Sequence, residues 1–313
     1  MPWSDEEIQG NILTYSYLKS RSTKSDVSMR TVPKWYDFCI MTVDVQKRWL
    51  YWHLDAYKRD GTSQVVEYGV VDIVDDTDRA ISKALSDVAD IAMEGWPLST
   101  DYDHIVIPRL RMIDTGYRYD VISPWLQTHP DWHGIKGVGK SVKNSKRTGK
   151  QPIFEIPGIM QVRPQPDGNR LWFIEVDNTK AIVHDRYFIE TGEPGYTEVP
   201  MDVTQGYMMS LAAEKREYSK EDDTFKWVKV RRRNDYLDCR SYSVAGAMYV
   251  AQKMKREDSK LAKKVEDNRK TEIAATKVDR EKEHSLRNKH IIDKPRRKAP
   301  GQSFLNSSGR FFN

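Results

Sequence analysis

An unbroken apolar, β-prone run, Phe38-Cys39-Ile40-Met41-Thr42-Val43, ends abruptly on the acid Asp44. Such a run reads as a core strand, and nothing structural demands a charge at its end. Trp49 to Tyr57 and Val65 to Ile73 follow, rich in β-branched and aromatic residues and separated by Arg59-Asp60-Gly61. Three successive strands joined by tight turns are therefore expected.

A helix comes next. Thr77 is its expected N-cap; Ile81, Ala84, Leu85, Val88, Ile91 and Ala92 recur at helical spacing, and Gly95 supplies the stop. After Pro108, Leu110 to Ile113 form a fourth strand that delivers Asp114 to the turn Thr115-Gly116. Residues 120–128 read as a short helix and Trp132 to Val138 as a fifth strand. The order βββαβαβ, antiparallel first and parallel later, is that of an α/β, ribonuclease H-like mixed sheet flanked by helices. Ile153 to Val162 and Leu171 to Val176 are strand-like, Thr179 to Arg186 helical, 190–206 turn-rich, and 234–254 helical, with Leu237, Ser241, Val244 and Met248 on one side.

The expected division is a leader or linker over 1–33, the ribonuclease H-like domain over 34–254 and a basic tail over 255–313. Charge supports the last boundary. Residues 251–300 carry 17 Lys+Arg against 9 Asp+Glu, whereas residues 1–250 carry 33 against 37. The tail has few apolar anchors and reads as an extended solvated helix or as disorder. Any affinity for nucleic acid must come from local patches or this tail. Two cysteines, both in apolar segments, exclude a cysteine-built metal site or disulfide scaffold. No apolar run reaches the length of a membrane span.

Four acids are marked by placement. Asp44 and Asp114 each close an apolar strand; Asp235 and Asp238, three apart on one helix, project from one face. Phosphodiester hydrolysis at a two-metal site needs such a set, because hard divalent cations prefer carboxylate oxygens and at least one carboxylate must bridge them. Each acid alone is equally an ordinary turn or cap residue.

Gly134-Ile135-Lys136-Gly137-Val138-Gly139-Lys140-Ser141 fits the phosphate-loop pattern G-x-x-x-x-G-K-[ST]. That motif works only between a strand and an amphipathic helix. The residues that follow are polar and basic, so a basic loop presenting Lys136, Lys140, Lys143, Lys146 and Arg147 to a nucleic-acid backbone is the expected reading. Arg231-Arg232-Arg233, just before the acidic helix, is a second candidate DNA contact. The seven histidines show no metal-ligand spacing, and no serine or cysteine sits in an elbow-type turn.

Thr42-Val43-Asp44-Val45-Gln46, Ile113-Asp114-Thr115-Gly116, Gly134-Ile135-Lys136-Gly137, Val176-Asp177-Asn178-Thr179-Lys180, Leu211-Ala212-Ala213-Glu214-Lys215 and Arg233-Asn234-Asp235-Tyr236-Leu237-Asp238-Cys239-Arg240 together resemble segments of the lambda-like GpA family of phage terminase large subunits. They also run in that family's order. The resemblance implies a ribonuclease H-like endonuclease that cuts concatemeric phage DNA during packaging with two Mg²⁺ or Mn²⁺ ions. Asp44, Asp114, Asp235 and Asp238 match its metal-binding acids. Asp235 stands where the family usually has Glu and is preferred over Asp238 as the direct ligand. The implied partners are double-stranded DNA, the small terminase subunit and the capsid portal, in the host cell cytoplasm. Large terminases carry an ATPase motor before the nuclease, yet only about 40 residues precede Asp44. The motor is therefore expected on a separate subunit or domain. The alternatives are a junction-resolvase type of nuclease and a non-catalytic DNA- or portal-docking protein.

Overall fold

A computed structural model describes residues 12–139, 152–219 and 224–292. Helix α1 (Tyr15–Lys24) lies in the segment expected as a leader or linker. Leu13 and Leu18 are nonetheless buried, so from there on the segment packs on the body. The apolar run forms β1 (Phe38–Val45), buried along its whole length. It pairs antiparallel with β2 (Trp49–Tyr57), and β2 pairs antiparallel with β3 (Ser63–Asp72). Helix α2 (Asp78–Glu94) starts where Thr77 accepts a hydrogen bond from the Ala80 N–H and stops at Gly95, whose φ is 69°. A small hairpin of β4 (Trp96–Leu98) and β5 (Asp101–Val106) precedes β6 (Leu110–Asp114), helix α3 (Tyr119–Thr128) and β7 (Trp132–Val138).

The chain continues through β8 (Phe154–Ile156), β9 (Met160–Pro164), β10 (Arg170–Glu175) and helix α4 (Val176–Arg186). Next come β11 (Thr197–Glu198), helix α5 (Gln205–Leu211), a hairpin of β12 (Glu214–Ser219) with β13 (Thr224–Lys229), and helix α6 (Asp235–Ile292). Nine strands form one sheet in the order β11-β3-β2-β1-β6-β7-β10-β9-β8. β1, β6, β7 and β10 run parallel, whereas β1, β2 and β3 are antiparallel. This is the ribonuclease H-like arrangement expected from the element order.

Alternation along the strands sorts residues between two cores. Cys39, Met41 and Val43 of β1, with Leu50, Trp52 and Leu54 of β2, pack against Ile81, Leu85 and Val88 of α2 and Ile122 and Trp125 of α3. The intervening residues face α6: Ile40, Leu110 and Met112 join Ile135, Trp172, Tyr242 and Ala245. A third core joins α1, α5 and α6 through Leu18, Tyr207, Leu211, Leu237 and Val244.

One polar cluster locks α6 to β2 inside this packing. The Asp55 carboxylate pairs with the Arg240 guanidinium and accepts from Ser243 Oγ at 2.6 Å, with His53 Nδ1 at 3.3 Å. Asp55, His53, Arg240 and Ser243 are all essentially inaccessible. Burial pushes the Asp55 pKa up, but Arg240 and His53 more than offset this and hold it below the usual carboxylate range. Contacts divide the chain after Met254. From Lys255 on, the described part is the continuation of α6, with Leu261 and Val265 exposed.

Candidate active site

Asp44 and Asp114 become neighbours because two parallel strands run in register. The β1–β6 ladder ends at Val43↔Ile113, so the next residues on each strand are the two acids, at the C-terminal ends of the strands. Period-2 alternation puts both carboxylates on the face shared with Thr42 and Met112, the α6 face. The first turn of α6 is seated over this point. Thr42 Oγ1 donates to the Cys239 carbonyl at 3.0 Å, and the Cys239 thiol donates to the Tyr51 carbonyl at 3.4 Å. That turn carries Asp235 and Asp238.

The site holds more negative charge than its surroundings neutralise. Asp44 is 3% exposed, and burial, then repulsion from Asp114 and Asp238, raises its pKa well above the carboxylate range. Gln46 Nε2 donates to Asp44 Oδ2 at 2.8 Å and opposes that rise only in part. Burial pushes Asp114 up to about 6; Asp238 adds to the shift, while the Gly116 and Thr115 N–H groups and the Lys136 charge work against it. Burial also raises Asp238 and Asp235. Asp44 feels Asp238 more than Asp235, and Asp114 feels Asp238 directly. Arg233 and Lys229 ease the charge of Asp235, and Lys229 also eases that of Asp238.

Three buried residues that the sequence reading did not assign to the site, Lys180, Glu214 and Asn234, complete it. Lys180 of α4 bridges Glu214 Oε2 at 2.9 Å and Asp238 Oδ1 at 2.8 Å. Asn234 Nδ2 donates to Glu214 Oε1 and Asp238 Oδ2, and its Oδ1 accepts from Lys229 Nζ. Both Lys180 and Glu214 fall in segments that carried the family resemblance, which was the available signal. Their pairing spans 34 residues and no local periodicity announces it.

Of the expected DNA contacts, Lys136 is exposed on β7 beside Asp114 and acts on its charge. Arg231, Arg232 and Arg233 are exposed just before α6, and the Arg233 guanidinium stacks 4.9 Å from the Trp49 ring centre. Lys140, Lys143, Lys146 and Arg147 lie outside the described residues. Gly134 to Val138, the first part of the phosphate-loop pattern, is strand rather than loop. Its glycines serve close packing: a Cβ on Gly134 would meet Leu126 and Leu171 at 2.8 Å, and one on Gly137 would meet the Tyr242 hydroxyl at 2.9 Å.

Among the described residues, no three His, Cys, Asp or Glu side chains are gathered into a finished metal cage. The donor set itself suits a hard divalent cation: buried carboxylates that repel one another, with Asp44 held by a neutral amide instead of a counter-charge.

The family model for "Terminase large subunit gpA, endonuclease domain" matches residues 1–261. The chain belongs to this family. It is the endonuclease domain of a phage terminase large subunit, and the bonds it acts on are DNA phosphodiesters. Solved terminase nucleases resemble this terminase domain at low identity. The large terminase nuclease from thermophilic phage G20c is 10% identical with a TM-score of 0.37, over 74% of this chain and 97% of that one. Its form with bound magnesium is 11% identical with a TM-score of 0.39, over 75% and 97%. A mutant nuclease domain of the large terminase subunit gp2 of bacterial virus Sf6, with manganese, is 9% identical with a TM-score of 0.40, over 75% and 97%. No curated protein sequence matches the chain. No helix among the described residues is long and apolar enough to cross a membrane.

Proposed function

We propose that this terminase domain cuts concatemeric viral DNA by metal-dependent hydrolysis, with Asp44, Asp114, Asp235 and Asp238 holding two divalent ions, Mg²⁺ or Mn²⁺. The observation that carries the reading is the side-by-side placement of buried Asp44 and half-buried Asp114 at the ends of β1 and β6, with the charge of half-buried Asp238 raising the pKa of both. Such repulsion is expensive unless a cation occupies the site. The solved G20c and Sf6 nucleases that contain magnesium and manganese support the same choice of ions. When held by these acids, divalent cations would supply an activated water and charge neutralisation at the leaving 3′ oxygen, which would leave 5′-phosphate and 3′-hydroxyl ends.

The chain's own residues divide the remaining work. Asp44 would be a ligand to the ions, and Gln46 fixes its Oδ2. Asp238, whose charge acts on both strand acids, would serve as a ligand alongside Asp235. Lys180 holds Asp238 in place through Oδ1. Asp235, half-buried and eased by Arg233 and Lys229, completes the outer side. Lys136 supplies positive charge to the phosphate beside Asp114. Arg231, Arg232 and Arg233 grip the neighbouring DNA backbone, together with Lys140, Lys143, Lys146 and Arg147 of the following segment. An ATPase motor, the small terminase subunit and the capsid portal are the working partners, in the host cell cytoplasm.

Plasmid incubated with the protein and Mn²⁺ should be nicked and linearised. Cleavage that persists in EDTA or in Asp44→Ala overturns the metal-ion mechanism.

A further inference from the structure

At the end of the sheet opposite the carboxylates, the β2–β3 turn closes over a cavity of about 90 Å³ lined by Lys58, Arg59, Asp60, Gly61, Arg186 and Met248, among others. Arg186, the last residue of α4, reaches beneath this turn. Its Nη2 lies 2.8 Å from where a Gly61 Cβ would stand, and Gly61 has φ +91°, so only glycine admits both the turn and the guanidinium. Arg186 Nη1 is buried and has no hydrogen-bond partner. The acids that act on Arg186 are engaged elsewhere: Asp55 pairs with Arg240 and Ser243, and Asp60 Oδ1 accepts from the Thr62 N–H. Burial lowers the Arg186 pKa; Tyr57 opposes this and Arg240 adds to it. A buried N–H without a partner is rare in a native structure and asks for an occupant. A guanidinium fork matches a tetrahedral oxyanion, whose oxygens take its N–H groups in pairs.

We propose that this cavity is a second, non-catalytic site that binds a phosphate-class oxyanion on Arg186, with Lys58 and the exposed Arg59 beside it. Asp60 is the one acid in the lining, so the site keeps a net positive charge without an anion. Free phosphate and the terminal phosphate of a DNA strand share the chemistry that the site recognises.

The test uses the full chain with EDTA present, which keeps metal-bridged anion binding at the carboxylates out of the readout. Titrated inorganic phosphate should raise Tm in proportion to ln(1 + [phosphate]/Kd), by about 3–6 °C at ten times its Kd. Arg186→Gln should abolish that response and melt no lower than wild type in phosphate-free buffer, because it removes an unpaired buried charge. Lys58→Ala, on the turn surface, should fold normally and weaken the response several-fold, which keeps the test decisive if Arg186→Gln misfolds. A short single-stranded oligonucleotide with a 5′-phosphate, compared with the same strand without one, separates the sources. Tighter binding of the phosphorylated strand that disappears in Arg186→Gln assigns the site to DNA ends; equal binding of both strands assigns it to free phosphate. No phosphate response in wild type, or an undiminished response in both variants, overturns the site.

Discussion

Two buried ionic clusters lie on the same face of one sheet, and they are built on opposite principles. Around Asp55 every charge is answered: Arg240 pairs with the carboxylate, Ser243 and His53 take up what remains, and the Asp55 pKa is held down. Around Asp44 the acids outnumber their partners. Lys180 answers Glu214 and Asp238, but Asp44 and Asp114 have only amides and the exposed Lys136, and their pKa values are pushed up. Both clusters engage the first turns of α6. The balanced one holds the helix to the sheet, and the unbalanced one sits at the mouth with its charge left for a ligand. Under the proposed function, stability and activity fall to separate carboxylates only a few strand positions apart.

The largest expected effect separates them most sharply. Asp44→Asn should reduce Mn²⁺-dependent plasmid cleavage roughly a thousandfold or more, while the Tm of the EDTA-treated protein stays level or rises because repulsion is relieved. A Tm fall comparable to that of a core mutation would mean that Asp44 is structural. Arg240→Ala should do the reverse. Stranding Asp55 in the core destabilises by about 3–5 kcal/mol, visible as a large drop in urea midpoint, and the double variant Asp55→Asn/Arg240→Met should recover much of the loss.

Much of this contrast was open to sequence reading and part of it was not. Strands ending in Asp44 and Asp114, and the helix bounded by Thr77 and Gly95, were legible because apolar period, capping residue and stop all agree there. The Asp235/Asp238 spacing was legible for the same local reason. The β12–β13 hairpin was not: Glu214 to Lys229 is dense in charge, and its inner face packs through single residues such as Trp227, whose Nε1 donates to the Asp177 carbonyl. Lys180 and Arg240 were not singled out either. A buried cation is recognised only by its partner, and Glu214 and Asp55 lie far away in the chain. The choice between Asp235 and Asp238 was not legible at all, because spacing shows which acids share a face, not which of them would reach a metal.

A pH titration reads the same contrast through protons. The folded-state pKa of Asp114 is raised to about 6, above its unfolded value. Its contribution is therefore favourable at low pH and is lost as pH rises through about 6. In EDTA, Asp114→Asn should be more stable than wild type at pH 7, by on the order of 3 kcal/mol, and the gap should close by about pH 4. Asp55, with a depressed pKa, has the opposite sign: its contribution is present above the ordinary carboxylate range and disappears only as pH falls below it. A gap between wild type and Asp114→Asn that widens on acidification would contradict the charge imbalance.

The smallest expected effect concerns the neutral amide that distinguishes the two clusters. Gln46 Nε2 orients Asp44 Oδ2 without cancelling its charge, as a residue supporting a metal ligand should. Gln46→Ala should weaken Mn²⁺ binding about 10–100-fold, measured calorimetrically, with Tm almost unchanged because Gln46 is exposed. Gln46→Lys asks whether charge or orientation is the point, since it gives Asp44 the kind of partner that Arg240 gives Asp55. Tm without metal should rise, and Mn²⁺ affinity should fall further than in Gln46→Ala, because the cation must now displace an ammonium. If Gln46→Lys instead binds Mn²⁺ as well as wild type, the open negative charge is not what the site preserves, and the distinction between the two clusters reduces to hydrogen-bond geometry.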